Sequence, residues 1–263
     1  MSDFFGTYIF VPVVDGVIIK KRPTELLRDG RVNGASSWAY LETTLTQEAL
    51  LAITNTVEGT LFVDSTTALS VHIPECLVNL FPRFDKPQVK AASKVYASIG
   101  APTDQAIAIM GESIFVCPTY FLLLAFKGRG FKVLHTFFSS HGTEDELQLH
   151  GEFAIPPGGH AQDVIYYFPS SVLAPGVLPP YNNTTFINYF SQSFLNFALA
   201  MDPNVKWDPE NSVPRWSRWG DGGAEVLFNK TDAGDPVFRS IETSEALLRR
   251  CNFWESVSAL SAQ

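Results

Sequence analysis

The sequence predicts an α/β fold in which a mostly parallel sheet is flanked by helices, and three observations carry that reading. Leu50-Leu51-Ala52-Ile53 is a short uninterrupted apolar run, the pattern of a parallel strand covered on both faces. Helical patterns and short strand patterns follow one another along the chain, with no internal repeat and no low-complexity linker. A carboxylate, Glu58, stands just past the first buried strand, and a histidine, His160, stands on a loop past the next.

The elements follow in chain order. Phe10-Val11-Pro12-Val13-Val14-Asp15-Gly16 reads as a short strand ending in an Asp-Gly turn. Residues 23–30 read as one or two helical turns stopped by Gly30, whereas residues 35–48 have no clear period. After the Leu50 strand, helices are expected over 89–99, 105–114 and 118–126, the last ended by Gly128 and Gly130. Residues 131–138 read as a strand and 151–155 as a competing one. Residues 182–201 form the clearest amphipathic helix, whose stripe of Phe186, Tyr189, Phe190, Phe194 and Phe197 belongs in a core. A last helix is expected over 240–254, with Arg249 and Arg250 near its end, where cations suit the helix dipole.

Composition narrows the classes. With 263 residues the chain can bury one sizeable core, and no domain boundary stands out, so 1–263 is read as one domain. Hydrophobic residues make up 46% and charged ones 17%, which marks a globular chain. The 21 Phe, five Trp and eight Tyr imply a core or pocket heavy in aromatic rings. A net charge of −8 with no basic run argues against a nucleic-acid partner. No stretch reaches the roughly 18 consecutive apolar residues of a membrane span. The start, Met1-Ser2-Asp3-Phe4-Phe5, has no basic region followed by an apolar stretch and is not read as a signal peptide. The three cysteines contain no C-x-x-C pair, so they predict no metal site. Asn182, Asn183 and Asn229 open N-glycosylation sequons; together with a disulfide these would indicate a secreted parent protein.

Carboxylate then histidine is the order of acid and base in the α/β-hydrolase triad, Ser…Asp/Glu…His, whose serine sits on an upstream G-x-S-x-G elbow. No G-x-S-x-G occurs in this sequence. Gly111-Glu112-Ser113-Ile114-Phe115 lacks the last glycine and lies between acid and base. Glu58, in Asn55-Thr56-Val57-Glu58-Gly59, is placed to hold an imidazole in one tautomer from the top of a sheet. The same string is also an ordinary turn with a solvated glutamate. His160 follows Pro156-Pro157-Gly158-Gly159, on a loop anchored by Val164-Ile165-Tyr166-Tyr167-Phe168; an ordinary surface histidine is the plainer reading. Asp163 reads as a cap for the next segment or as a partner of the imidazole, the cap being plainer. His72 lies in a polar loop and His135 alternates within a strand. His141 and His150 flank Gly142-Thr143-Glu144-Asp145-Glu146, where no metal is expected.

Six strings, in order, then resemble one family: Phe10-Val11-Pro12-Val13-Val14-Asp15-Gly16, Thr54-Asn55-Thr56-Val57-Glu58-Gly59, Phe115-Val116-Cys117-Pro118-Thr119-Tyr120, Gly159-His160-Ala161-Gln162-Asp163, Trp216-Ser217-Arg218-Trp219 and Arg250-Cys251-Asn252-Phe253-Trp254. Spread over nearly the whole chain, they are similar to the C-terminal half of the type B carboxylesterases, the group of cholinesterases, fungal lipases and related esterases.

The resemblance implies the C-terminal part of an α/β-hydrolase fold, with Glu58 as triad acid, His160 as triad base, and a disulfide between Cys117 and Cys251 that leaves Cys76 unpaired. Closing so long a loop is worth roughly 4–5 kcal/mol in the chain-entropy model, less any strain. It also implies that the nucleophile and oxyanion-hole loop belong to an N-terminal half that this sequence lacks. Segments 35–49 and 133–150 interrupt places where the family runs straight through. Phe131-Lys132 joined to Gly151-Glu152-Phe153-Ala154-Ile155-Pro156 would make one continuous strand. Both segments are therefore expected to be translated introns in a truncated gene model. The implied function is hydrolysis of a small-molecule carboxylic ester by a secreted full-length parent, with no metal or organic cofactor and little activity in this chain alone. The alternatives are a non-catalytic cholinesterase-like binding or adhesion module, and a truncated fragment without function.

Overall fold

A computed structural model describes residues 14–29, 49–64, 72–127, 147–168 and 177–261. Strand β1 (Ala49–Asn55) lies parallel to β2 (Leu147–Phe153) from Ala49 opposite Leu147 to Asn55 opposite Phe153. β3 (Ala224–Lys230) continues the sheet parallel to β2, and β4 (Pro236–Glu242) turns back antiparallel on β3. The order is β1-β2-β3-β4, a mixed sheet with three parallel strands.

Alternation along β1 sends its apolar residues to two cores. Leu50 and Ala52 join the core beneath α2 (Ile73–Leu80), α3 (Lys86–Tyr96), α4 (Pro102–Gly111), α5 (Cys117–Lys127) and α8 (Glu245–Ser256). Leu51 and Ile53 join the opposite core, where α6 (Val164–Tyr167) and α7 (Thr184–Ala200) pack Tyr166, Phe186 and Phe190 against Phe153 and Phe228. Helices on both faces are what an uninterrupted apolar strand requires, so the sheet is of the expected α/β kind. Helix α1 (Pro23–Arg28) and the short α9 (Ser258–Ser261) complete the described elements.

The aromatic stripe of α7 is core, as its period predicts. Phe186 and Phe190 are fully buried, and each meets Phe153 edge-on at 6.2 and 5.6 Å between ring centroids. Asn183 caps the helix by accepting from the Phe186 N–H at 3.0 Å, and Met201, at φ 56°, ends it.

Four expectations are corrected. Residues 105–114 and 118–126 are not two helices: α4 runs into α5 through a π segment, Glu112–Val116. Pro118 has no N–H to donate and crowds the carbonyl four residues back. The wider π turn, in which the Cys117 N–H reaches the Glu112 carbonyl, relieves that conflict without ending the helix. The final helix begins at Glu245, because Ser240–Glu242 belong to β4, whose Phe238 packs on Phe228 and Phe186. The strand expected over 151–155 is β2, which spans Leu147–Phe153. Finally, the 89–99 helix starts earlier, at Lys86, where Asp85 caps it, and stops at Tyr96. The strand expected over 131–138 and that over 10–13 lie outside the described residues.

The rod Pro102–Phe126 is long and apolar enough to cross a membrane by length and composition, but more than half of its most apolar window is buried inside the protein. A disulfide joins its Cys117 to Cys251 of α8 across 134 residues of sequence, and Cys76 is free and buried.

Candidate active site

Parallel pairing brings the C-terminal ends of β1 and β2 side by side, and the two chains meet once more beyond the sheet. The Val57 N–H donates to the Gly158 carbonyl at 2.8 Å, and Val57 bridges Gly159. One residue past that bridge on each chain stand Glu58 and His160. Their separation is 2.7 Å, from Glu58 Oε2 to His160 Nδ1.

Glu58 opens a 3₁₀ turn, Glu58–Phe62, and is 6% exposed, which removes the solvated-turn reading. Its other oxygen, Oε1, accepts from the backbone N–H of Asn55 at 2.7 Å and from Asn55 Nδ2 at 3.1 Å. A buried carboxylate tethered at one oxygen has the other directed at the imidazole. With the proton on Nδ1, His160 leaves Nε2 free to accept one. The side chain of His160 is 37% exposed, so the ring is neither sealed in a core nor loose on the surface.

Gly59 is next in the chain for a steric reason. The 3₁₀ turn crosses the end of α4 so closely that a Cβ on Gly59 would come within 1.9 Å of the Ile107 carbonyl oxygen. A Cβ on Gly111 would in turn meet the Gly59 nitrogen at 2.7 Å. Two glycines back to back thus set the distance between the acid and the long helix.

Asp163 neither caps α6 nor touches the imidazole. It accepts from Asn55 Nδ2 at 2.9 Å and from the Tyr167 hydroxyl at 2.8 Å. Burial, followed by the Asp163 charge, pushes the Tyr167 hydroxyl well above the ordinary tyrosine range, so it stays a donor.

Two aromatic rings close on His160. Phe115, from the π segment, stacks at 4.2 Å between centroids and 27° between planes, and Phe62 leans in at 5.5 Å. A second histidine–carboxylate pair lies within the sheet. Buried His150 on β2 places Nδ1 3.3 Å from Glu225 on β3 and Nε2 3.2 Å from the Thr54 hydroxyl. Glu225 also accepts from the Tyr120 and Thr243 hydroxyls. Burial alone would raise this carboxyl, but the adjacent His150 ring, then the Thr243 and Tyr120 hydroxyls, hold it below the usual range. Both side chains are buried, and the pair ties β2 to β3.

A cavity of about 420 Å3 opens behind Glu58, lined among others by Glu112, Glu152, Glu225 and Glu242. Its lining is acidic and does not include His160, so an ester would not meet the base there. Ser113 is fully buried and bonded to the Met110 carbonyl within the helix. His72 lies exposed before α2, whereas His135 and His141 lie outside the described residues. Among the described residues no three His, Cys, Asp or Glu side chains are grouped to hold a metal ion. Of the sequon residues, Asn182 is exposed, Asn183 caps α7, and Asn229 is half-buried in β3.

The pairing of Glu58 with His160 was legible as strand-end motifs. Asn55, Phe62, Phe115 and the Gly59–Gly111 contact were not; the cue to them was that Asn55, Gly59 and Phe115 fall inside the quoted strings.

Comparison with known proteins gives consistent results. The model of the carboxylesterase family matches residues 2–253. A secreted lipase of Arthroderma benhamiae is 22% identical over 207 residues, covering 76% of this chain and 36% of the lipase. The crystal structure of Aspergillus niger EstA superposes with a TM-score of 0.67 at 16% identity, over 97% of this chain and 46% of EstA. The carboxylesterase EST55 of Geobacillus stearothermophilus gives 0.50 at 16% identity, over 94% and 44%. The sheet and its helices are thus part of an α/β-hydrolase fold, and the chain spans less than half the length of these relatives.

Proposed function

Since the chain belongs to the carboxylesterase family, we propose that Glu58 and His160 are the acid and base of a Ser-Glu-His triad that hydrolyses a carboxylic ester. The observation that carries this reading is the 2.7 Å contact between Glu58 Oε2 and His160 Nδ1, with Asn55 fixing the other oxygen. Serine attacks the ester carbonyl, and His160 Nε2 takes its proton and returns it to the leaving alcohol. Glu58 stabilises the imidazolium, and water clears the acyl-enzyme. Serine and oxyanion donors come from the part of the fold that the relatives carry beyond this chain, because this sequence holds no G-x-S-x-G elbow. On its own the chain turns esters over poorly: loss of the nucleophile costs orders of magnitude, and loss of an oxyanion donor about 10²–10³ more.

The parent is proposed to be secreted, on its disulfide, its sequons at Asn182, Asn183 and Asn229, and the description of the Arthroderma relative as a secreted lipase. Segments 35–49 and 133–150 are proposed to be insertions foreign to the family.

The test is reconstitution. The chain is fused behind the part of EstA that it does not cover, and p-nitrophenyl butyrate hydrolysis is followed with the chain alone as reference. Turnover far above that reference, abolished by His160→Ala and by Glu58→Gln, is expected. Turnover that survives His160→Ala would sink the assignment.

A further inference from the structure

Glu58 restrains His160 at one point in the plane of its ring, which leaves the imidazole free to tilt about the Nδ1 hydrogen bond. A ring that tilts does not present Nε2 in one direction. The side chain is more than a third exposed, so general packing does not prevent the tilt. What meets the open face is Phe115, stacked at 4.2 Å, itself backed by Phe62 at 5.3 Å between centroids. Phe62 also leans on the imidazole at 5.5 Å.

The backbone is arranged to make this contact. Phe115 stands in the π segment, where the extra residue per turn rotates the side chains away from the face they would take in an unbroken α-helix. The helix is held on both sides of that segment: by the Gly59–Gly111 contact before it and by the Cys117–Cys251 disulfide after it. Phe62 comes from the 3₁₀ turn that begins with Glu58, so the acid and the backing ring arrive on one rigid piece of chain.

The face of an aromatic ring carries negative electrostatic potential and attracts a cation laid over it. A protonated imidazole is such a cation. We propose that Phe115 is a positioning residue: its ring, buttressed by Phe62, fixes the tilt of His160 and supports the imidazolium from its face while Glu58 supports it from its edge. The proposal rests on His160 being the base, but its test does not depend on turnover.

The experiment is proton NMR of the chain itself, following the hydrogen-bonded Nδ1 proton of His160 far downfield, assigned by its disappearance in His160→Gln. Phe115→Leu is expected to broaden or remove that resonance and to shift the His160 ring protons, while Phe115→Tyr, which keeps the ring, retains it. Thermal melts accompany each variant; if Phe115→Leu does not melt cooperatively, Phe115→Met is read in its place. A leucine or methionine variant that melts cooperatively and keeps the Nδ1 resonance at the wild-type position and width overturns the proposal. Because the readout is the hydrogen bond, loss of the resonance in a chain whose fusion shows no His160-dependent turnover leaves the seat standing and removes the catalytic reading. Turnover with an undisturbed resonance does the reverse.

Discussion

Asn55 holds Glu58 by one oxygen and leaves the other to His160. Its backbone N–H and Nδ2 both donate to Oε1, and the same Nδ2 donates to Asp163 Oδ1. One amide group thus stands between two buried carboxylates. Asn55→Ala is expected to leave both short of a donor and to cost roughly 1.5–3 kcal/mol, the range for hydrogen bonds to charged groups. Asn55→Asp is expected to cost more, because it adds a third carboxylate to the two. Urea midpoints measure both, and an alanine variant as stable as the parent would show that the amide is dispensable.

Gly59→Ala is expected to destabilise the fold at or beyond the top of the 1–3 kcal/mol usual for overpacking. Its methyl group would meet backbone at Ile107, which has no rotamer to change. Alanine at Gly16, which has open space around its Cβ position, serves as the comparison: its cost comes from φ 77° alone. Chemical denaturation of both variants separates close approach from backbone strain.

Arg250 grips Glu112 with Nε and one terminal nitrogen at 2.7–3.0 Å. Tyr96 donates to Glu112 at 2.6 Å and receives a bond from Trp254 Nε1 at 2.7 Å. Arg250→Met is expected to cost about 3–5 kcal/mol, since it strands a buried carboxylate. Combining it with Glu112→Gln is expected to restore a good part of that loss, so the double variant loses less than the sum of the single ones in a double-mutant cycle.

Two carboxylates near β3 give pH dependences of opposite sign. Glu225 is held below its ordinary value, so its contribution is fully present above the unfolded value and is lost as pH falls through the folded one. Glu152 is raised, with burial as the largest cause. Its folded form favours the proton, so its ionisation works against the fold at neutral pH, and that penalty vanishes as pH falls below the unfolded value. Glu152→Gln is therefore expected to raise the melting temperature at about pH 7 and to have no effect at about pH 3, whereas Glu225→Gln lowers it at about pH 7 with a difference that shrinks in acid. Melts at the two pH values decide both.

What was readable in advance was what local pattern determines. The apolar run at Leu50 and the aromatic period of α7 declare themselves because every residue in them obeys one repeat. Glu58 and His160 were readable because strand-end motifs place them, although their contact depends on a register that no local string encodes. The hairpin of β3 and β4 follows no such repeat: Glu225 interrupts the apolar run of β3, and only Tyr120, Thr243 and His150 explain a carboxylate there. The continuity of α4 with α5 is hidden for a related reason, since the π turn that accommodates Pro118 carries no sequence signature. The Phe115 stack and the Gly59–Gly111 crossing join residues about 50 positions apart, and such contacts exist only once the fold does.

The stretches that precede β1 and β2 lead into the sheet at one end. Residues 35–48 feed the start of β1 and residues 133–146 the start of β2, whereas Glu58 and His160 leave from the opposite ends. Seven paired residues, at about 3.3 Å each, put on the order of 20 Å of hydrogen-bonded sheet between them. The sheet acts as a spacer: sequence can be gained or lost at its entrance without passing a displacement to its exit. An engineer lengthening a loop or inserting a second domain would find the strand entrances, not the His160 loop, the permissive place to do it.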